Sequence, residues 1–252
     1  MLGKLLKYEI PALGRKLVPL YIGWAVTAVL LGLAVGPAAS KSDFMVVISA
    51  LLYSAAATAV LVMAIVMIIQ RYSKSLLGDE AYFYQVLPVT ASEHIASKAV
   101  SALIWVLLSG VAMLLTGLLI AMFSGSLKEF FGILPDIFRN IRGNEWLIIL
   151  EFLILFAFSI TKSVLAIYTA ITIGHQAQKR TTLASIGAYF GVLLFESTVG
   201  RAVTGIFPQL FRNFDIYDFH RIFLAGLLIT SAIGAIYFFI CKYLMENRLN
   251  LN

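Results

Sequence analysis

Six long apolar runs set the rhythm of this chain: Leu17–Gly36, Phe44–Ile69, Ala99–Phe123, Trp146–Ile173, Leu183–Val199 and Ile222–Tyr243. Each approaches or exceeds the roughly 17 to 25 mostly apolar residues with which a helix crosses a bilayer. None alternates with period two, and all are too long for the tilted strands of a membrane barrel. The pattern predicts an all-α integral membrane protein with six transmembrane helices. The first run, closed by Gly36 and Pro37, is longer than the core of about 7–15 residues in a cleaved signal peptide, so it is expected to stay as a helix. No internal repeat or low-complexity linker interrupts the series, and residues 1–252 read as a single domain.

The polar intervals carry their own patterns. Over residues 1–16, Leu2, Leu6, Ile10 and Leu13 recur every three or four positions and lead into Leu17, while Lys4, Lys7 and Lys16 fall off the stripe. This predicts an interfacial helix with its basic residues toward anionic headgroups, kinked at Pro11. The interval Arg71–Lys98 is richer. After Gly78, two acids (Asp79, Glu80) suit a helix N-terminus, three aromatics (Tyr82, Phe83, Tyr84) follow, and Leu87-Pro88 ends the element. Thr90-Ala-Ser-Glu93 is a capping box, predicting a second helix that runs through Lys98 into the third span. The short aromatic helix suits docking to another protein, and equally suits seating in the headgroup belt. Over Ser126–Arg142, Leu127, Phe130, Phe131, Leu134, Phe138 and Ile141 share one face, predicting an interfacial helix or a cap on the bundle.

Composition agrees with lipid as the solvent. The 252 residues are 61% hydrophobic and 13% charged, whereas soluble domains are about 45–50% apolar and about 25% charged. The net charge of +6 is resolved by position. With the N-terminus inside, 11 of the 19 basic residues fall on inner segments, 7 on outer ones, and Lys162 within a span. This bias predicts cytoplasmic N- and C-termini. The basic excess then faces membrane lipid, and nucleic acid is not expected as a partner.

Signatures of catalysis are missing. HExxH, GxSxG, paired-cysteine metal spacing and the GxxxxGK[ST] phosphate loop do not occur, so no catalytic residue, metal or cofactor is expected on this chain. The lone Cys241 permits no intrachain disulfide, and His94, His175 and His220 read as solvated loop residues far apart. Glu151, Lys162 and Glu196 are the candidate intramembrane polar residues. Glu151 and Lys162 are eleven residues apart, nearly on one helix face but about 16 Å apart along the axis, too far to pair within one helix. Ser159 and Thr169 flank that face and extend it into a polar stripe. A plainer reading starts the fourth span after Glu151, puts Glu196 at the outer interface near Arg201 and lets Lys162 snorkel. We expect this for the two glutamates and keep Lys162 as the deepest candidate. Gly32-xxx-Gly36 and Gly187-xxx-Gly191 are candidate sites of close helix approach.

One segment carries a resemblance. Arg71-Tyr-Ser-Lys-Ser-Leu-Leu-Gly-Asp-Glu-Ala-Tyr-Phe-Tyr-Gln-Val-Leu-Pro-Val-Thr, followed by Lys98, resembles the "DE-x-Y … LPV … K" loop of type-2 ABC exporter permeases, in particular the small six-span subunits common in Gram-positive bacteria. Ala81 stands where that loop often has glycine. The resemblance implies that residues 1–16 form an elbow helix and that 71–98 hold a coupling helix. That helix would contact a separate nucleotide-binding ATPase through Gly78, Asp79, Glu80, Tyr82, Phe83 and Tyr84, with Lys179 and Arg180 as a secondary contact. It further implies ATP and Mg on that partner, a second permease copy or paralogue forming a dimer, and a possible re-entrant region over 200–221. Cargo would be hydrophobic or amphipathic, with toxin or antimicrobial peptides the class such subunits often serve. Two other readings stand beside it: a membrane sensor or immunity subunit working with an ATPase, and an ATP-independent carrier or channel.

Overall fold

The structure is a computed structural model. It describes residues 2–37, 43–78, 89–140, 145–177, 180–206 and 216–247. These residues form seven α-helices: α1 (Leu2–Val35), α2 (Asp43–Tyr72), α3 (Ala91–Ser124), α4 (Leu127–Asn140), α5 (Glu145–Gly174), α6 (Thr181–Ile206) and α7 (Ile216–Asn247). A π-helical turn, Ser73–Leu77, continues α2. There is no strand among the described residues. All but α4 are long and apolar enough to cross a membrane, giving the six spans of a small multi-span membrane protein.

Burial follows the solvent. Leu51, Leu61, Leu114, Phe190, Leu194 and Leu228 are exposed, while the hydroxyl residues Ser101, Ser109, Thr116, Thr169 and Thr172 are buried. Water would favour the opposite arrangement. Hydrocarbon accepts the apolar surface and leaves polar groups to find partners inside the protein. Many hydroxyls do so by bonding a carbonyl one turn back, as Ser109 does to Trp105 and Thr172 to Tyr168.

Two boundaries fall where the sequence marked them. The capping box is made reciprocally: the Thr90 amide donates to Glu93 Oε2 at 3.3 Å, and the Glu93 amide lies 3.4 Å from Thr90 Oγ1. At the end of α3, Gly125 adopts φ +81°, and the Ser126 amide returns to the Ala121 carbonyl at 3.0 Å before α4 begins. That left-handed glycine cap leaves α4, the amphipathic helix expected over Ser126–Arg142, as a separate element.

The helix expected over residues 1–16 is continuous with the first span: α1 runs for 34 residues through Pro11 and Pro19. Its buried residues Glu9, Leu13, Leu17, Trp24, Ala28 and Gly32 keep one face throughout, so the stripe of the first turns is in phase with the span.

The chain divides into two compact units. One comprises Tyr8–Ile68 and Ile104–Gly143. Its core is Leu13, Leu17, Ala64, Met67 and Trp105, flanked by Ile10, Leu20 and Tyr21. Trp105 Nε1 donates to the Ile10 carbonyl at 3.0 Å, and the hydroxyls of Tyr21 and Ser109 meet at 2.7 Å. Helix α1 lies close enough here that a Cβ on Gly14 would sit 2.6 Å from the Trp105 ring, and one on Gly32 would sit 2.8 Å from Phe123 Cβ. Gly32-xxx-Gly36 is thus a close approach, while a Cβ on Gly187 or Gly191 would meet nothing within 4 Å. The other unit comprises Met1–Lys7, Ile69–Leu103 and Asn144–Asn252, with α5 packed against both α6 and α7.

Replacing Gly14 or Gly32 with Val is expected to destabilise the protein by about 1–3 kcal/mol through overpacking. Gly187→Val is expected to be near neutral. Unfolding of the purified variants in detergent by SDS titration checks both, and equal effects at all three sites would contradict the packing described.

Candidate functional site

The polar face that the sequence places on the fourth span is the organising feature of the second unit. On α5, Glu151, Lys162, Thr169 and Thr172 recur on one side of the helix. The rise of 1.5 Å per residue spreads them over about 30 Å, the thickness of a bilayer's hydrocarbon core. Each of the four meets a polar partner from another helix, so the stripe is the wall of a seam.

At its centre, Lys162 Nζ on α5 lies 2.6 Å from Glu196 Oε2 on α6. The Tyr237 hydroxyl on α7 donates to the other carboxylate oxygen, Oε1, at 3.1 Å. All three residues fall in the middle third of their spans. A lone Lys or Asp at the centre of a membrane helix costs about 2.5–3.5 kcal/mol on insertion scales. Pairing offsets much of that cost and ties three helices together. The lysine and glutamate side chains keep 16% and 23% of their surface accessible, so the pair is partly shielded and not sealed.

Further along the seam, Thr169 Oγ1 lies 3.2 Å from Cys241 Sγ and 3.3 Å from the Tyr237 carbonyl. The wholly buried Tyr72, last residue of α2, stacks on Tyr168 with ring centroids 3.9 Å apart and planes 8° from parallel. Its hydroxyl meets Thr172 Oγ1 at 2.8 Å. At the other end, His220 Nδ1 lies 2.9 Å from both oxygens of Glu151. This pair borders a cavity of about 300 Å³ that Ile154, Phe223, Leu224 and Leu227 line with apolar surface and Arg221 borders.

Several expectations change. Glu196 is not an interfacial residue near Arg201: α6 continues from the expected Val199 to Ile206, which moves Glu196 inward onto Lys162. Lys162 accordingly does not snorkel. Glu151 lies within α5, about two turns after its start, and faces His220. Of the three histidines read as loop residues, His175 is one and the other two are helical. His94 is buried in α3, His220 belongs to α7, and His175, in the turn after α5, bonds the Ile171 carbonyl through Nδ1 at 2.9 Å. Tyr72, Tyr168, Thr172 and Tyr237 were not singled out by sequence, and His220 was assigned to a loop.

Of the residues assigned by resemblance, Gly78 ends the π turn in extended conformation, and Arg180 is exposed ahead of α6. Asp79, Glu80, Tyr82, Phe83, Tyr84 and Lys179 lie outside the described residues. In the region 200–221, residues up to Ile206 continue α6 as ordinary helix, and Pro208 lies outside the described residues. No group of three or more metal-ligating side chains occurs among the described residues. Comparison with protein-family models, with curated proteins and with solved structures gives no match.

Lys162→Met and Glu196→Met should each destabilise the protein by about 2–3 kcal/mol, because each leaves an uncompensated charge in the membrane. The double variant should return to within about 1 kcal/mol of the original. A double-mutant cycle read by unfolding in detergent checks this, and additive losses would contradict the coupling.

Proposed function

We propose that this chain is the transmembrane permease subunit of an ATP-driven exporter for hydrophobic or amphipathic cargo, peptide being the favoured class. In this reading it is not itself an enzyme. A separate nucleotide-binding ATPase holds ATP and Mg, a second permease copy or paralogue completes the pathway, and the chain resides in the cell membrane with both termini cytoplasmic.

The observation that carries the proposal is the anchoring of the two flanks of segment 79–88. On one side Tyr72 is clamped by Tyr168 and Thr172 of α5, and Ser75 and Leu76 of the π turn are buried. On the other, the capped start of α3 is followed by buried Ile95, Ser97, Lys98 and Ser101. Both flanks belong to the same compact unit as α5, α6 and α7. A push on the loop between such anchors would be transmitted to α5 and its polar seam instead of being absorbed by slack chain. This supports a coupling element there, as the loop's resemblance implies. The expected cycle is that ATP closes the ATPase pair, the loops carry the movement to the permeases, and the membrane seam opens outward.

The seam favours a second reading, an ATP-independent carrier. Such proteins need convergent polar groups inside the membrane, and Lys162, Glu196 and Tyr237 converge. Co-purification with a soluble ATPase separates the readings, and vesicle transport then separates an exporter from a sensor or immunity subunit.

Replacing both Glu80 and Tyr82 with Ala is expected to reduce ATPase association or cargo-stimulated ATP hydrolysis by about tenfold or more, with unfolding in detergent unchanged. Full association and full activity in that variant would remove the coupling assignment.

A further inference from the structure

The central ion pair is unequally satisfied. Glu196 has both oxygens engaged, one by Lys162 and one by Tyr237. Lys162 carries three ammonium protons, yet Glu196 is its one hydrogen-bond acceptor among the described residues. Two of the Lys162 ammonium protons are therefore unused and open to a further acceptor. A bilayer-borne ligand that bears an acceptor can engage the node through those protons of Lys162. Access exists, since neither side chain is fully enclosed. The helix bearing the glutamate is also lightly held, with Val192 its buried residue. In hydrocarbon, where apolar contact with lipid competes with contact between helices, the Glu196 tie is a large part of what fixes α6.

We infer that Lys162, Glu196 and Tyr237 form a binding site for the carboxyl group of an amphipathic carboxylic acid. Such a ligand crosses hydrocarbon as the neutral acid, RCOOH. At the node its proton passes to Glu196 Oε2, and the resulting RCOO⁻ takes the place of Glu196 on the Lys162 ammonium. Glu196 becomes a neutral acid that still accepts the Tyr237 hydrogen bond at Oε1. One O–H bond breaks, one forms, and the charge within the membrane is unchanged. Exchange between like carboxyl groups makes this substitution feasible where the import of an uncompensated anion is not. An ester or amide of the same molecule has no proton to give. Binding also removes the charged tie between α5 and α6, so occupancy and the fastening of α6 are linked.

The inference deepens the export reading by naming a cargo class, and it rests on that reading only for its role in transport. The carboxyl group has two sources, a free fatty acid or the C-terminus of a hydrophobic peptide. The test uses the full chain in lipid nanodiscs without any ATPase. Spin-labelled dodecanoic acid is compared with its methyl ester, and N-acetyl-Leu-Leu-Phe acid with its amide. At least one acid should bind about tenfold or more tightly than its neutral counterpart. Lys162→Gln should abolish the preference, and Lys162→Arg should keep it. In Glu196→Gln, which mimics the protonated glutamate and leaves Lys162 without an anion, the acid binds as RCOO⁻ with its proton released to the aqueous buffer, and it should bind about tenfold more tightly than in the original. A gain of affinity cannot arise from misfolding. The acid that shows the lysine-dependent preference identifies the source. Equal binding of acid and neutral probe in both pairs, a preference that survives Lys162→Gln, or no gain in Glu196→Gln would each overturn the site. Because no ATPase is present, failure of ATPase association leaves this result standing, and loss of acid binding leaves the coupling assignment standing.

Discussion

A helix in hydrocarbon gains little by hiding its leucines from the solvent, because the solvent is as apolar as they are. Whatever fixes one membrane helix beside another must come from close backbone approach or from polar groups that lipid cannot satisfy. Each unit of this chain uses both, with a different emphasis. In one, Gly14 and Gly32 admit Trp105 and Phe123, and the Tyr21–Ser109 pair adds a hydroxyl contact. In the other the emphasis is polar: an ion pair, two tyrosines, two threonines, a cysteine and a histidine–glutamate pair link α2, α5, α6 and α7.

This constraint explains what the sequence revealed and what it concealed. Long apolar runs exist because lipid demands them, so the six spans were legible. Local hydrogen-bond chemistry was legible too: Thr90 and Glu93 are three residues apart, and α4 shows its amphipathic stripe within 14 residues. Periodicity gives each helix its faces but not which face meets which. Lys162 and Glu196 are separated by 34 residues, and Glu196 and Tyr237 by 41. Glu196 was further obscured because Gly200 and Arg201 look like the end of a span, yet α6 continues to Ile206. One usable signal was present. A lysine deep in an apolar run needs an anion, and Glu196 is the carboxylate in the following run. Tyr72 and Tyr168 gave no signal, because aromatic residues near span ends are common for reasons of the headgroup belt.

The anchored flanks and the ion pair complement one another physically. Tyr72 reaches Thr172 of α5, and three turns earlier on the same helix Lys162 reaches α6. A rigid α5 therefore has one contact near the segment that resembles a coupling element and another at the level of the charged node. Movement of α5 would be felt at both, with no need for a special path through the side chains between them. Thr169, held to α7 at Cys241 and the Tyr237 carbonyl, brings the third helix into the same body.

The short link between Gly174 and Thr181 bears on how such a chain enters its membrane. During synthesis Lys162 leaves the ribosome first and Glu196 follows 34 residues later, joined by a turn that brings α5 and α6 together as an antiparallel hairpin. Offered to lipid singly, each helix brings a charge; offered as a hairpin, the two bring a neutral pair. Biogenesis thus has a reason to release α5 and α6 into the bilayer together, with Tyr237 arriving afterwards to complete the node. The contact that fastens the mature helices would thus also let them enter lipid as a neutral pair.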